Sequence, residues 1–301
     1  MNLVVVTVRR KSVLRVVGSY ISLMKPRIIE LLLITTVPAM IVAKQGVPSV
    51  WLVVLTLIGG TLSAGGANAV NMWADRDIDS IMKRTQKRPL VTGEVAPSAA
   101  LIFAMSLEVV AFAELSLLVN LLSALLSLGA ALFYIFVYTL WLKRTSSNNI
   151  VIGGAAGAAP VLVGWAAVTH SLSWTPIAMF MIIFLWTPPH FWALAFRYKD
   201  DYSRANIPML PAVASSKRTA GEIVIYTVIL WLVTLAFAPI AHLGFIYFAA
   251  ALLLGAGFVA YSLSLYRNCS PKVAMKVFSY SISYLTLLFL AMGIDILVRH
   301  H

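Results

Sequence analysis

Residues 50–90 read VWLVVLTLIGGTLSAGGANAVNMWADRDIDSIMKRTQKRPL. The first 25 of them, 50–74, carry no charge. A helix needs about 20 such residues to cross the hydrocarbon of a bilayer. The run then ends abruptly in Asp75, Asp77 and Asp79, followed by Lys83, Arg84, Lys87 and Arg88. An apolar span that stops in a dense polar segment is the pattern of a membrane helix entering a loop. With this span read as 50–72, similar apolar runs fall at 28–46, 97–116, 119–141, 149–168, 174–196, 221–241, 243–265 and 277–298. They are continuous and do not alternate, which favours helices over barrel strands. The expectation is an all-α, polytopic membrane bundle of about nine transmembrane helices. The third and fourth spans nearly merge at Asn120, where a shorter re-entrant pair is the alternative.

Composition agrees. Of 301 residues, 60% are hydrophobic and 11% are charged, against about a quarter charged in a soluble domain. Lipid must replace water over most of the surface. The net charge of +12 would suggest nucleic acid in a soluble protein. Here no basic stripe with interleaved aromatics forms outside the loops, so nucleic acid is excluded and anionic headgroups are the expected partner. The single cysteine, Cys269, rules out an intrachain disulfide. Arg9, Arg10, Lys11 and Arg15 precede no long apolar stretch with a small-residue cleavage site. Residues 1–27 therefore read as a cytoplasmic segment and not a signal peptide. Residues 28–298 read as one transmembrane domain.

With the N-terminus inside, 21 of the 23 basic residues fall on the cytoplasmic side, leaving only Lys44 and Arg299 outside. Positive residues favour the cytoplasmic side, and nine spans place the C-terminus outside. The longest polar connections, 73–96 and 197–220, are then both cytoplasmic, and chemistry is expected there.

Asn71, Asp75 and Asp79 are spaced i, i+4, i+8, one stripe of a helix. Two carboxylates and an amide oxygen suit Mg²⁺; a solvated acidic helix end is the plain alternative. Asp77 points elsewhere and is expected to pair with Arg76 or Arg84. The basic run that includes Arg84 and Arg88 would alone be an ordinary positive-inside loop. Behind a carboxylate row it reads as a phosphate clamp, since Arg gives bidentate contacts. Lys143 and Arg144 suit a phosphate or a lipid headgroup. In the loop holding Lys199, Asp200 and Asp201, adjacent acids cannot share a face, so at most one joins a metal. Pro188-Pro189-His190-Phe191-Trp192 lies late in the sixth span. An intramembrane His is either a hydrogen-bonded interior residue or a contact to a haem. Gly59-Gly60, Gly65-Gly66 and Gly153-Gly154 read as helix-packing surface, with room for a ligand as the alternative near Asn68 and Asn71.

The row AsnxxxAspxxxAsp after a small-residue span resembles the signature of the UbiA-type intramembrane prenyltransferases. Further segments narrow the likeness. They are Met24-Lys25-Pro26-Arg27, then Met82, Arg84-Thr85 and Arg88-Pro89-Leu90. Tyr138-Thr139, Leu142 to Thr145, Asn149, Gly153-Gly154 and Pro160 follow. Pro189-His190-Phe191, Asp201-Tyr202 and Asn206-Ile207-Pro208 complete the set. Together they are similar to the protohaem IX farnesyltransferase (haem O synthase) branch, over about residues 20–215. The resemblance thins out in the last three spans.

The resemblance implies a helical bundle with a central cavity capped by cytoplasmic loops, in a bacterial inner membrane. It implies transfer of farnesyl from farnesyl diphosphate to a vinyl group of haem B, with Mg²⁺, giving haem O for haem-copper oxidases. Haem-synthesis or oxidase-assembly proteins are the implied protein partners. The implied catalytic and metal-binding residues are Asn71, Asp75, Asp79 and Asp201. Lys25, Arg27, Arg84, Arg88, Lys143 and Lys199 would bind diphosphate, and His190, Phe191 and Trp192 would bind haem. In many members a second AspxxxAsp row follows the sixth span; here the positions four from Asp201 are Arg197 and Ala205. A transporter is the competing class, but its site is expected at the midplane and not at one face. A prenyltransferase acting on an aromatic quinone precursor is the rival among enzymes.

Overall fold

The computed structural model describes residues 13–299, with the backbone alone for 27–33. All of the elements found there are helical. They are α1 (Val13–Met24), α2 (Pro26–Lys44), α3 (Val50–Ala74), α4 (Arg76–Ile81), α5 (Pro97–Val119), α6 (Leu121–Thr145) and α7 (Asn149–Thr169). α8 (Trp174–Arg197), α9 (Lys199–Arg204), α10 (Leu210–Val213), α11 (Ser216–Ile240), α12 (Phe245–Asn268) and α13 (Pro271–Arg299) follow. Eight of these, α3, α5 to α8 and α11 to α13, are long and apolar enough to cross a membrane. With the 19-residue α2, the bundle has about nine spans, as expected.

Asn120 settles the junction of the third and fourth spans. Its backbone is extended, and its Oδ1 accepts from Ser123 N at 2.8 Å, an N-cap that starts α6. Two full spans of 23 and 25 residues result, not a re-entrant pair. Lys25 separates α1 from α2 in the same economical way. It takes a left-handed conformation (φ 54°) immediately before Pro26, where a helix cannot continue.

Lipid offers helices little hydrophobic reason to associate, so close packing has to hold them. α3 packs along α5, and α7 lies among α2, α6 and α8. A Cβ at Gly66 would come within 2.9 Å of Ala104 O, and one at Gly153 would overlap the Tyr138 ring. These glycines are packing surfaces. The largest core joins α7, α8 and α11 to α13 through Trp186, Phe237, Tyr247, Phe258, Tyr284 and Phe289. Large apolar side chains such as Trp174, Leu253 and Phe245 stay exposed, as lipid-facing positions should.

A separate cluster decides where the loops go. Ile78 and Met82 after α3 pack with Ile150 of α7, Ala195 of α8, and Tyr202, Ile207 and Met209 beyond it. The connections 73–96 and 197–220 are thereby held together at one end of the bundle. At α12, the buried carboxylate of Asp295 accepts from Gly244 N (2.5 Å) and Ile246 N (3.1 Å). It satisfies donors that a helix start would otherwise leave bare.

Candidate active site

α3 ends at Ala74, and Asp75 leaves the helical region with φ −91° and ψ 6°. The hydrogen-bond ladder nevertheless runs on. Asp75 N donates to Asn71 O (2.9 Å), and Asp79 N donates to Asp75 O (2.8 Å). The i, i+4 relation of the three residues therefore survives the bend into α4. All three side chains are buried.

A buried carboxylate needs a partner; Asp75 finds a cation on another span, and Asp79 finds one nine residues on in the same connection. Lys143, at the end of α6, donates to Asp75 Oδ2. Arg88 Nη1 donates to both oxygens of Asp79, at 2.8 and 2.6 Å. Lys25 Nζ donates to Asn71 Oδ1 (2.5 Å), while Asn71 Nδ2 reaches Asp75 Oδ2 (2.9 Å) and Thr139 Oγ1 (3.0 Å). Burial, then the charges of Arg88 and Lys143, lowers the Lys25 ammonium to about 7. Asp75 Oδ1 is buried without a hydrogen-bond partner, with Arg144 Nη2 3.8 Å away.

Asp77 stands apart from this row, exposed, as its position in the helix predicts. Its partner is neither Arg76 nor Arg84. Arg144 donates from Nη1 and Nη2 to its two oxygens, at 2.8 and 2.9 Å. That bidentate pair holds the Asp77 carboxyl down at about 2. Arg76 turns to Trp73 instead.

The remaining expected residues lie around the same end. Arg84 is exposed, with its guanidinium 5.9 Å from the Tyr198 ring. Lys199 is exposed on α9. Asp201 is buried and paired with Arg204. Among the described residues no three acidic, His or Cys side chains converge on one point, so Asp75, Asp79 and Asp201 form no three-carboxylate cluster. The Arg27 side chain lies outside the described residues.

His190 sits in α8, which stays helical through Pro188 and Pro189. Its ring stacks on Trp186 (4.2 Å) and Phe278 (4.6 Å) and meets Phe191 edge-on. Nδ1 is 2.7 Å from Ser281 Oγ, and that hydroxyl donates to Phe278 O at 2.6 Å. A hydroxyl has one proton to give. In the tautomer in which Ser281 spends it on Phe278 O, His190 Nδ1 donates to Ser281 and Nε2 keeps its lone pair. The expected trio of haem contacts divides. His190 and Phe191 touch, whereas Trp192 faces Tyr226 of α11.

Thr139, Arg144 and Ser281 complete these contacts without having been singled out for them. Arg144 was visible as half of a basic pair. Thr139 stood only within a family-like segment with no role attached, and Ser281 carries no local signal, since a hydroxyl in a span usually bonds its own helix. Glu108, in mid-span, accepts from Ser63 Oγ at 3.1 Å.

The sequence pattern of the UbiA prenyltransferase family matches residues 32–292. The chain is 51% identical over 289 residues to Protoheme IX farnesyltransferase of Streptomyces avermitilis, covering 94% of this chain and 95% of that one. It is 52% identical to Protoheme IX farnesyltransferase of Clavibacter michiganensis subsp. michiganensis, covering 94% of each. Among solved structures, Digeranylgeranylglyceryl phosphate synthase superposes with a TM-score of 0.78 at 16% identity, over 94% of this chain and 99% of that one. A UbiA homolog from Archaeoglobus fulgidus bound to GPP and Mg²⁺ superposes with a TM-score of 0.66 at 18% identity, over 93% and 99%. At those identities the two structures share the fold.

Proposed function

Because the chain belongs to the UbiA prenyltransferase family, we propose that it is a protohaem IX farnesyltransferase, moving farnesyl from farnesyl diphosphate to haem B. The observation that carries the acceptor is about 50% identity over nearly the whole chain to relatives of that name. The observation that carries the chemistry is a buried carboxylate row interleaved with cations at one end of an apolar bundle.

The donor set fits Mg²⁺. Asp75 and Asp79 offer hard oxygens a turn apart, and Asp75 Oδ1 is buried without a hydrogen bond. Asp75 and Asp79 would hold the ion, with Asn71 beside them; Asp201 would have to leave Arg204 to join. When bound, the ion neutralises the diphosphate and makes it a better leaving group.

The chain's own residues do the rest. Lys25, Arg88 and Lys143, now bonded to Asn71, Asp79 and Asp75, turn to phosphate oxygens, with Arg84 and Lys199 at the entrance. Apolar span walls exclude water from the allylic cation. The haem vinyl carbon attacks that cation, and one water then adds as hydroxyl with loss of a proton, giving haem O and diphosphate. No enzyme nucleophile is required. His190, with Nε2 available, serves the haem.

The domain comprises residues 28–298 in a bacterial inner membrane, with the N-terminus cytoplasmic and the C-terminus outside. The basic-residue asymmetry supports that orientation. The decisive experiment supplies purified protein with farnesyl diphosphate, Mg²⁺ and either haem B or 4-hydroxybenzoate. Haem O, identified by mass, is expected. Prenylation of the benzoate alone would overturn the acceptor.

A further inference from the structure

Asn149 opens α7 and has no exposed surface at all, yet neither Oδ1 nor Nδ2 has a hydrogen-bond partner. A donor and an acceptor left bare together are rare in a protein interior and costly to keep. Its backbone is in order, with N donating to Ser146 O at 3.3 Å. The side chain is the anomaly.

The surroundings say what such a group is for. Gly153, one turn on and on the same stripe, packs against Tyr138. The neighbouring Thr139 takes a hydrogen bond from Asn71. Asn149 thus stands on the α7 face turned to the α6 segment that touches the carboxylate row. Two tight turns, Ser146 N to Leu142 O and Asn149 N to Ser146 O, link it to Lys143, the partner of Asp75. Asp75 Oδ1 is itself buried and without a hydrogen bond. The start of a long helix adds its own outward N–H groups and positive dipole end.

The geometry points to Asn149 as a further binding residue for the diphosphate of the prenyl donor, its amide N–H donating to a phosphate oxygen beside the α7 N-terminus. This rests on the assignment of the Asp75–Asp79 row as the diphosphate site. It makes a prediction that a structural asparagine would not. A side chain kept for a ligand weakens the empty fold, so replacing it with an apolar group of similar size should leave stability equal or raise it.

The test uses the full chain in detergent, with Mg²⁺ and inorganic pyrophosphate as the probe. Asn149→Leu should bind pyrophosphate roughly tenfold more weakly, with an unfolding temperature no lower than the parent's and unchanged haem B binding. Asn149→Asp keeps the shape and adds a repelling charge. It should bind more weakly still, and it decides the matter if the Leu variant does not accumulate. Arg88→Ala, measured in parallel, reports on the site itself. If Arg88→Ala loses pyrophosphate while both Asn149 variants keep it, the role of Asn149 is overturned and the site stands. If all three bind like the parent, the site assignment falls and takes Asn149 with it. A lowered unfolding temperature in Asn149→Leu, or weakened haem B binding with pyrophosphate unaffected, also overturns the proposal.

Discussion

A single nitrogen of Arg88, Nη1, serves both carboxylate oxygens of Asp79, at 2.8 and 2.6 Å. The acid is buried and the guanidinium is only partly exposed, so neither is easily spared. Arg88→Met should destabilise the protein by about 3 kcal/mol, because it strands a buried charge. Asp79→Asn in the same chain should restore most of that loss and none of the turnover. Thermal unfolding beside a haem O assay checks both. A double variant no more stable than Arg88→Met would show that the two charges are not coupled.

Asp75 and Asp77 are two residues apart and should behave differently. Asp75→Ala should abolish turnover in a protein that still inserts, since it removes a buried carboxylate held by Lys143. Asp77→Ala should keep activity within about tenfold, because its pair with Arg144 is largely exposed and such pairs contribute about 1 kcal/mol at most. Near-normal activity of Asp75→Ala at limiting Mg²⁺ would remove the metal from this row.

Arg84, one of the proposed phosphate ligands, is exposed. Arg84→Lys keeps the charge and loses the fork. Its affinity for a non-hydrolysable farnesyl diphosphate analogue should fall by roughly tenfold. Unchanged affinity in both Arg84→Lys and Arg88→Lys would leave these residues as topology determinants only.

His190→Ala should weaken haem B binding and leave the farnesyl diphosphate analogue unaffected. If Nε2 reaches the iron, the visible spectrum of bound haem changes as well. Ser281→Ala frees the ring tautomer and should alter the same spectrum more mildly. Normal haem binding with an unchanged spectrum in His190→Ala would make it a packing residue between Trp186 and Phe278.

Spans were the most legible part of the chain, because hydropathy over about 20 residues is a strong signal. α3 was expected at 50–72 and runs to Ala74. The last span was expected from residue 277 and begins at Pro271. Lys272 and Lys276 hide that first turn and a half, since a hydropathy window cannot see a polar turn of helix. The π-helical stretches at Leu115–Val119 and Phe133–Leu142 leave no mark in composition. In the site, Asn71, Asp75 and Asp79 were readable because i, i+4 spacing is local. Their cations were readable only as types. That Lys143 meets Asp75, 68 residues away, or that His190 meets Ser281, 91 residues away, is fixed by helix packing alone.

The interleaving of acids and bases has a consequence for when the enzyme can act. Mg²⁺ arriving alone would have to pull Asp75 and Asp79 from Lys143 and Arg88, leaving cations crowded with nothing to face. A diphosphate arriving alone would strip the cations and leave two carboxylates opposed to it. Only the metal–diphosphate pair exchanges every contact for a new one of the right sign. On the proposed assignment the site would act as a coincidence detector, favouring neither half of its substrate alone. On the same assignment the side chains would re-pair as diphosphate departs, so product release would draw on contacts already built into the resting protein.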